Sequence, residues 1–175
     1  MSKIIAVAFF GIGVMEFLNA INGQVDPAGF LGASQGLLAR EAIAGGQEAM
    51  ASYARVYGWA LWGLGSVRIV YAADTQNFAA WLMCVIMHVI ESLFWWSEAL
   101  TAGGLAAVLS AQGAGAPTSE SGVVQILTAL VDAIKNGRTG ENIIHHVLLF
   151  GVPGLTLLLL ANKPSAEGKA KSKRS

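Results

Sequence analysis

Residues 66–77, SVRIVYAADTQN, place an arginine, a tyrosine, an aspartate and an asparagine in one short segment between two long apolar stretches. A cluster of aspartate, threonine and asparagine between apolar segments is typical of a turn. The segment therefore predicts a tight hairpin between two helices. The fold then depends on what the apolar stretches on either side can form.

The composition of the chain is that of a membrane protein. Of its 175 residues, 54% are hydrophobic and 13% are charged, and the mean hydropathy is +0.56. Soluble domains are about 45–50% apolar and about 25% charged. The formal net charge is zero, so no nucleic-acid partner is expected. The single cysteine, Cys84, cannot form an internal disulfide. Membrane lipids are the expected surroundings.

Four stretches are long and apolar enough to cross a bilayer, which takes roughly 20 residues for about 30 Å of hydrocarbon. They are residues 4–21, 56–73, 78–97 and 143–161. Helices are expected, because an open strand would leave backbone groups unpaired in lipid. The first stretch is longer than the apolar core of a secretory signal and contains Glu16, so we expect it to be retained.

These stretches predict an all-α fold, an integral membrane four-helix transmembrane bundle over residues 1–162, followed by a basic cytosolic tail over residues 163–175. Lysine and arginine concentrate in that tail, and the positive-inside rule places it in the cytosol. Four crossings then place the N-terminus there as well.

The segment between the third and fourth stretches has two parts. Residues 105–117 are rich in alanine and glycine and predict a weakly ordered linker. The next residues predict a lumenal amphipathic helix that ends near Gly137. Its apolar stripe follows helical spacing and comprises Val123, Ile126, Leu127, Leu130 and Ile134.

Polar residues within the third stretch recur in steps of three and four, so His88, Glu91 and Glu98 share one helix face with Ser92 and Trp95. Ionisable groups at this depth are costly and usually have a partner inside the bundle.

Two charge pairs are therefore expected. At the lumenal end, Arg55 should pair with Glu98, and Glu16 is a second candidate partner. At the cytosolic end, Arg68 should reach Asp74 or the first turn of the third helix.

Metal and cofactor chemistry is not predicted. A haem would need His88 together with His145 or His146, but those positions differ in depth by about 12–15 Å. The sequence contains no P-loop, dinucleotide-binding glycine pattern, nucleophile elbow or paired-cysteine motif. We therefore expect no catalytic residue, no metal and no cofactor.

The spacing of one set of residues resembles the ergosterol biosynthetic protein 28 family, which consists of small four-helix membrane proteins of the endoplasmic reticulum. The residues that carry the resemblance are Arg55, Tyr57, Gly58, Trp59, Arg68, Asp74, Asn77 and Glu98, within ARVYGWALWGLGSVRIVYAADTQN and FWWSE. The match covers roughly residues 54–98. Phe94 stands where the family usually has a histidine, and the segment from 100 to 140 is longer.

The resemblance implies a non-enzymatic scaffold in the endoplasmic reticulum membrane. Its implied partners are a sterol C-4 methyl oxidase, a C-4 decarboxylating dehydrogenase and a keto-reductase. The expected structural or partner-contacting residues include seven of this motif: Arg55, Tyr57, Trp59, Arg68, Asp74, Asn77 and Glu98. His88 and Glu91 are added to them from the shared polar face of the third stretch. Trp62 and Trp81 are expected on lipid-facing surfaces as docking anchors. The final residues, KSKRS, resemble a dilysine retrieval signal of that membrane.

Two other classes share part of this pattern. A small structural subunit of a respiratory or photosynthetic membrane complex would have the same composition. A haem- or lipid-binding membrane enzyme would use His88 and Glu91.

Overall fold

The structure, a computed structural model, describes residues 2–29, 44–137 and 146–164. These residues form helices and turns and contain no strand, which confirms the all-α expectation. The helices are α1 (Ser2–Val25), α2 (Gly46–Ala73), α3 (Phe78–Ala99), α4 (Ala102–Ala111), α5 (Gly122–Lys135) and α6 (Val152–Ala161). A π-helical turn, Val147–Gly151, leads into α6.

The hairpin predicted from residues 66–77 joins α2 to α3. The Asp74 N–H donates to the Val70 carbonyl at 3.4 Å and ends α2, and the Asp74 carboxylate accepts from the Gln76 N–H at 3.0 Å. The Asn77 side-chain oxygen accepts from the backbone N–H groups of Ala79 at 3.0 Å and Ala80 at 3.2 Å. It thus caps donors that α3 leaves unpaired at its first turn.

Helices α1 and α2 pack closely because glycines face each other across the contact. A Cβ atom added to Gly13 would lie 2.9 Å from the carbonyl oxygen of Gly65, and one added to Gly65 would lie 2.9 Å from that of Gly13. Small residues permit this approach between helices in a membrane. The buried face of α2 follows steps of four and three, through Ala54, Gly58, Leu61, Gly65 and Arg68.

One end of the molecule gathers the hairpin, the start of α1 and the end of α6. Phe9, Tyr71, Cys84 and Leu159 are buried in a single cluster there. Trp81 belongs to the same cluster, and its indole N–H donates to the Leu159 carbonyl at 2.8 Å. The expectation that Trp81 faces lipid is therefore wrong, because its ring closes the contact between α3 and α6.

The opposite end is built on α4, which overlaps the weakly ordered linker predicted over residues 105–117. That prediction is wrong for residues 105–111, which are helical. The Thr101 hydroxyl accepts from the Gly104 N–H at 3.0 Å as an N-terminal cap. Val108 and Leu109 are buried against Trp95 and Leu149. Alanine and leucine are strong helix formers, and this packing decides their conformation.

The predicted amphipathic helix is confirmed as α5, and Gly137 follows it at a positive φ of 66°. Its buried face is formed mainly by Ile126, Ala129 and Ala133. Of the other residues in the predicted stripe, Val123, Leu127 and Ile134 are exposed and Leu130 is half-buried. Ile126 and the two alanines thus pack inward, and larger apolar residues such as Leu127 and Ile134 lie on the outer side of α5.

Two helices of the described residues are long and apolar enough to cross a membrane, Lys3–Val25 and Phe78–Ala99. In each, 28% of the most apolar stretch is buried inside the structure. The predicted second stretch is helical within α2, but its glycines, tryptophans and Arg68 lower its mean hydropathy. The fourth appears as a shorter apolar segment, Val147–Ala161. Residues 143–145 of that stretch and residues 165–175 of the predicted tail lie outside the described residues.

Candidate functional site

Arg68 lies at the centre of a buried polar cluster that joins three helices. Its side chain is 2% exposed. One terminal nitrogen, Nη2, donates to Glu91 Oε2 of α3 at 2.7 Å, and Nε donates to His88 Nε2 at 3.1 Å. The other terminal nitrogen, Nη1, pairs with the Glu16 carboxylate of α1. We call these four residues the Arg68 cluster.

The expected contact of Arg68 with Asp74 or with the first turn of α3 is wrong. Side chains in a helix tilt toward the N-terminus of their own helix. Arg68 therefore extends away from the hairpin, along the antiparallel α3, to His88 and Glu91. Asp74 and Asn77 act in the turn itself, as helix-ending and capping residues.

The close contact of α1 with α2 brings Glu16 to Arg68. Gly13 precedes Glu16 by three residues, and Gly65 precedes Arg68 by three residues. Residues three apart on a helix are neighbours on one face, so the glycine contact lies directly beside the ion pair. Glu16 thus pairs with Arg68 and not with Arg55.

His88 is fully buried, and both of its ring nitrogens have partners. Nδ1 lies 2.7 Å from the Cys84 carbonyl oxygen, which can only accept, so Nδ1 carries the proton. Nε2 then accepts from Arg68. Phe9 of α1 packs against the same ring at a centroid distance of 5.5 Å. His88 therefore has no free nitrogen for a metal or a haem iron.

The Arg68 cluster contains two carboxyl groups and one guanidinium. Glu16 Oε2 is buried and has no hydrogen-bond partner in the structure. Removing one partner of a buried ion pair usually costs far more than the pair itself contributes, because the remaining charge is left unpaired. The arrangement is suited to holding three helices in one register.

The expected pair of Arg55 with Glu98 is also wrong. Within the part of the chain that the structure describes, the ion pairs are those of Arg68 with Glu16 and Glu91. Arg55 is exposed, and its guanidinium donates to the Ser52 hydroxyl at 3.2 Å. It lies next to the buried face of α2 rather than on it, on an exposed strip with Trp59 and Trp62.

Aromatic residues of the motif lie on two different surfaces. The Tyr57 ring meets the Trp95 ring edge-on at 6.0 Å between centroids, between α2 and α3. The Trp59 ring meets the Trp62 ring at 5.4 Å on the outer face of α2. Trp59 is 70% exposed and Trp62 is 41% exposed. The expectation that Trp62 faces outward agrees with this position.

Among the described residues, no group of three or more histidine, cysteine, aspartate or glutamate side chains could hold a metal ion. His145, one of the two haem-ligand candidates of the fourth stretch, lies outside the described residues. Chemically, the Arg68 cluster offers hydrogen bonds and charge to neighbouring helices.

Comparisons of this chain with models of protein families, with curated proteins and with solved structures found no match. The fold and the site define a class: an all-helical protein, two of whose helices are able to span a membrane, with a buried arginine that joins three helices.

Two features of the site were not found from the sequence. The paired glycines are the first, although the seven-residue spacing of Gly13 with Ala20 and of Gly58 with Gly65 was a usable signal. The second is the identity of the partners of Arg68. The shared helix face of His88 and Glu91 indicated that hydrogen-bond acceptors lie on that side of the third helix. Whether Arg68 reaches them depends on how the helices pack against each other, which the sequence pattern does not show.

Proposed function

We propose that this protein is a non-catalytic scaffold of the endoplasmic reticulum membrane that holds the enzymes of sterol C-4 demethylation together. The observation that carries the proposal is the Arg68 cluster. Arg68 uses three nitrogens on Glu16, His88 and Glu91, so the polar groups inside the helices bind one another. The interior serves to hold the helices, and the outer surface is left to contact lipid and partners.

The outer surface supports placement in a membrane. Large apolar side chains are exposed along α1, such as Ile4 and Val7, and along α3, such as Ile90 and Leu93. Exposed apolar patches of this extent mark membrane or protein contacts. We place α2 and the Val147–Ala161 segment in the bilayer as well, which gives four crossings. With 28 residues, α2 is about 42 Å long at 1.5 Å per residue.

The proposed topology has both termini in the cytosol. The start of α1, the hairpin and the end of α6 share one end of the molecule. The Lys163 ammonium, at the start of the basic tail, lies 5.9 Å from the centroid of the Trp81 ring at that same end. Assignment to the endoplasmic reticulum rests on the family resemblance.

The choice of partners rests on the motif that runs from Arg55 to Glu98 and on the family resemblance drawn from it. Trp59 and Trp62 form an exposed aromatic pair on α2. Tryptophan is enriched among the residues that dominate binding energy at interfaces. We therefore assign enzyme contact to this pair.

Purification from the source organism in mild detergent, followed by mass spectrometry, tests the proposal. The methyl oxidase, the decarboxylating dehydrogenase and the keto-reductase should be recovered with the tagged protein. Deleting the gene should raise 4-methylated sterol intermediates. Replacing both Trp59 and Trp62 with alanine should reduce recovery of the enzymes, whereas Phe10→Ala, an exposed aromatic on α1, should not.

Two results would contradict the proposal. Recovery of respiratory or photosynthetic subunits in place of sterol enzymes would identify a structural subunit of such a complex. A Soret absorbance in the purified protein would identify a haem protein.

A further inference from the structure

A cavity of about 380 Å3 lies between α2 and α3, on the side of the Arg68 cluster that is away from the hairpin. Its walls are mostly apolar and include Val56, Ala60 and Leu64 of α2 and Met87, Ile90 and Phe94 of α3. Tyr53, Tyr57 and Trp95 also line it. Ala60 and Ile90 are exposed on the outside of the helices, so the cavity opens to the surroundings of the bundle. Its volume lies in the range of small-ligand sites, about 300–1,000 Å3.

Glu91 gives this apolar cavity one acidic group. Of the described residues that line the cavity, Glu91 is the one with a charged side chain, and that side chain is 11% exposed. Its Oε2 accepts from Arg68. The Trp95 side chain also hydrogen-bonds to this carboxylate. A carboxylate offers about four lone-pair sites, so beside these two donors it can accept a further hydrogen bond from a molecule in the cavity.

We propose that this cavity binds one uncharged lipid whose hydroxyl group donates a hydrogen bond to Glu91. The apolar walls suit the hydrocarbon part, and the carboxylate suits a donor. A plain acyl chain would make no hydrogen bond to the carboxylate, so a hydroxyl-bearing lipid gains a contact that an acyl chain lacks. The inference rests on the membrane placement proposed above, and not on the scaffold role.

The charges around the cavity disfavour acidic lipids. The nitrogens of Arg68 already face Glu16, His88 and Glu91. A fatty acid or a phospholipid head group would therefore meet the Glu91 carboxylate, and Arg68 is already engaged. Like charges at short distance in a low dielectric repel strongly. A lipid amine would be attracted to the Glu91 carboxylate, but Arg68 already pairs with that carboxylate. An ammonium group would also lose its hydration in an apolar cavity at a cost in free energy, so we expect an amine to bind more weakly than an alcohol.

Photolabelling of the full chain in phosphatidylcholine nanodiscs tests the proposal. The probe is a long-chain alcohol that carries a diazirine, and labelled positions are mapped by mass spectrometry. Labels should concentrate on Met87, Ile90 and Phe94. Unlabelled alcohol of the same chain length should compete, whereas the matching fatty acid and the matching amine should compete weakly.

Two matched variants locate the bound lipid. Ala60→Phe fills part of the cavity and should lower labelling by about fivefold or more, because a well-filled site does not accept added volume. Ser66→Phe adds a similar ring on the exposed outer face of α2 and should leave labelling unchanged.

Labelling spread evenly over the cavity and over exposed residues such as Leu18 of α1 would overturn the proposal, since probe dissolved in the surrounding lipid would label every exposed residue in that way. Equal competition by the acid or by the amine would overturn the choice of an uncharged alcohol. The positions labelled in the unmodified protein test the proposal even if Ala60→Phe does not fold. Labelling confined to the cavity without recovery of sterol enzymes would contradict the scaffold role alone.

Discussion

At the scale of single residues, Arg68 is suited to its position by the shape of its side chain. The guanidinium is planar and presents five N–H donors in a fixed fork, so one group can reach acceptors on two other helices at once. Glu16, His88 and Glu91 take up three of its nitrogens. A lysine would offer a single ammonium on a flexible chain and could not hold the same three partners in one plane.

Replacing Arg68 with alanine should destabilise the protein strongly. The change leaves the carboxylates of Glu16 and Glu91 buried without a cation, and breaking a buried pair in this way costs about 3–5 kcal/mol. Thermal unfolding in detergent, followed by circular dichroism, should show a large loss of stability. Arg55→Ala is the matched control, because Arg55 is exposed and an exposed contact is worth about 0–1 kcal/mol. Equal losses for the two variants would contradict the Arg68 cluster.

At the scale of secondary-structure elements, the contact of α1 with α2 depends on the absence of side chains at Gly13 and Gly65. Gly63, also on α2, has nothing within 4 Å of an added Cβ atom. Gly65 and Gly63 thus provide a test and its control within one helix.

Gly65→Ala should destabilise the protein by about 1–3 kcal/mol, because the new methyl group would force the helices apart. Gly63→Ala should be neutral or stabilising by up to about 1 kcal/mol, since alanine favours a helix more than glycine does. Unfolding midpoints in detergent measure both. If the two variants behaved alike, α1 and α2 would not meet at Gly65.

The start of α3 allows a second test at this scale. Asn77→Ala removes the acceptor for the N–H groups of Ala79 and Ala80 and should cost about 1 kcal/mol. Asn77→Asp keeps a side-chain oxygen at the cap and should retain most of the stability. Thermal unfolding again measures the difference. An unchanged midpoint in Asn77→Ala would show that the cap contributes nothing to folding.

Local elements were predictable from the sequence, and long-range contacts were not. The hairpin at Asp74 and Asn77 depends on a few adjacent residues, and α5 depends on a helical repeat of apolar residues, so both were expected. Helix α4 was missed because its alanine and glycine content suggested a linker, while its burial against Trp95 is a tertiary effect. The Arg55–Glu98 expectation failed for a related reason: the two residues are about equally far from the hairpin along their helices, but Arg55 is turned outward.

At the scale of the whole molecule, the ends of the helices predict a topology. The loop over residues 112–120 lies between α4 and α5, at the end opposite the hairpin, and most of it is exposed. If both termini are cytosolic, a glycosylation acceptor site placed in this loop should be modified in the endoplasmic reticulum. Sites added at either terminus should stay unmodified, as judged by shifts in gel mobility. The reverse pattern would overturn the topology.

The central claim is that the buried charges are structural and that the outer surface provides the function. It is tested most directly by a variant with methionine at positions 16, 68 and 91 (Glu16→Met, Arg68→Met and Glu91→Met), which removes every charge of the Arg68 cluster together. Replacing a buried ion pair by apolar residues of similar volume is often neutral or stabilising, so the variant should fold. Size-exclusion chromatography in detergent confirms folding, and mass spectrometry of co-purified proteins measures the function. Our account predicts that the folded variant still recovers the sterol C-4 demethylation enzymes as the unmodified protein does. A folded variant that no longer recovers these enzymes would show that the buried charges themselves carry the function, and would contradict our account.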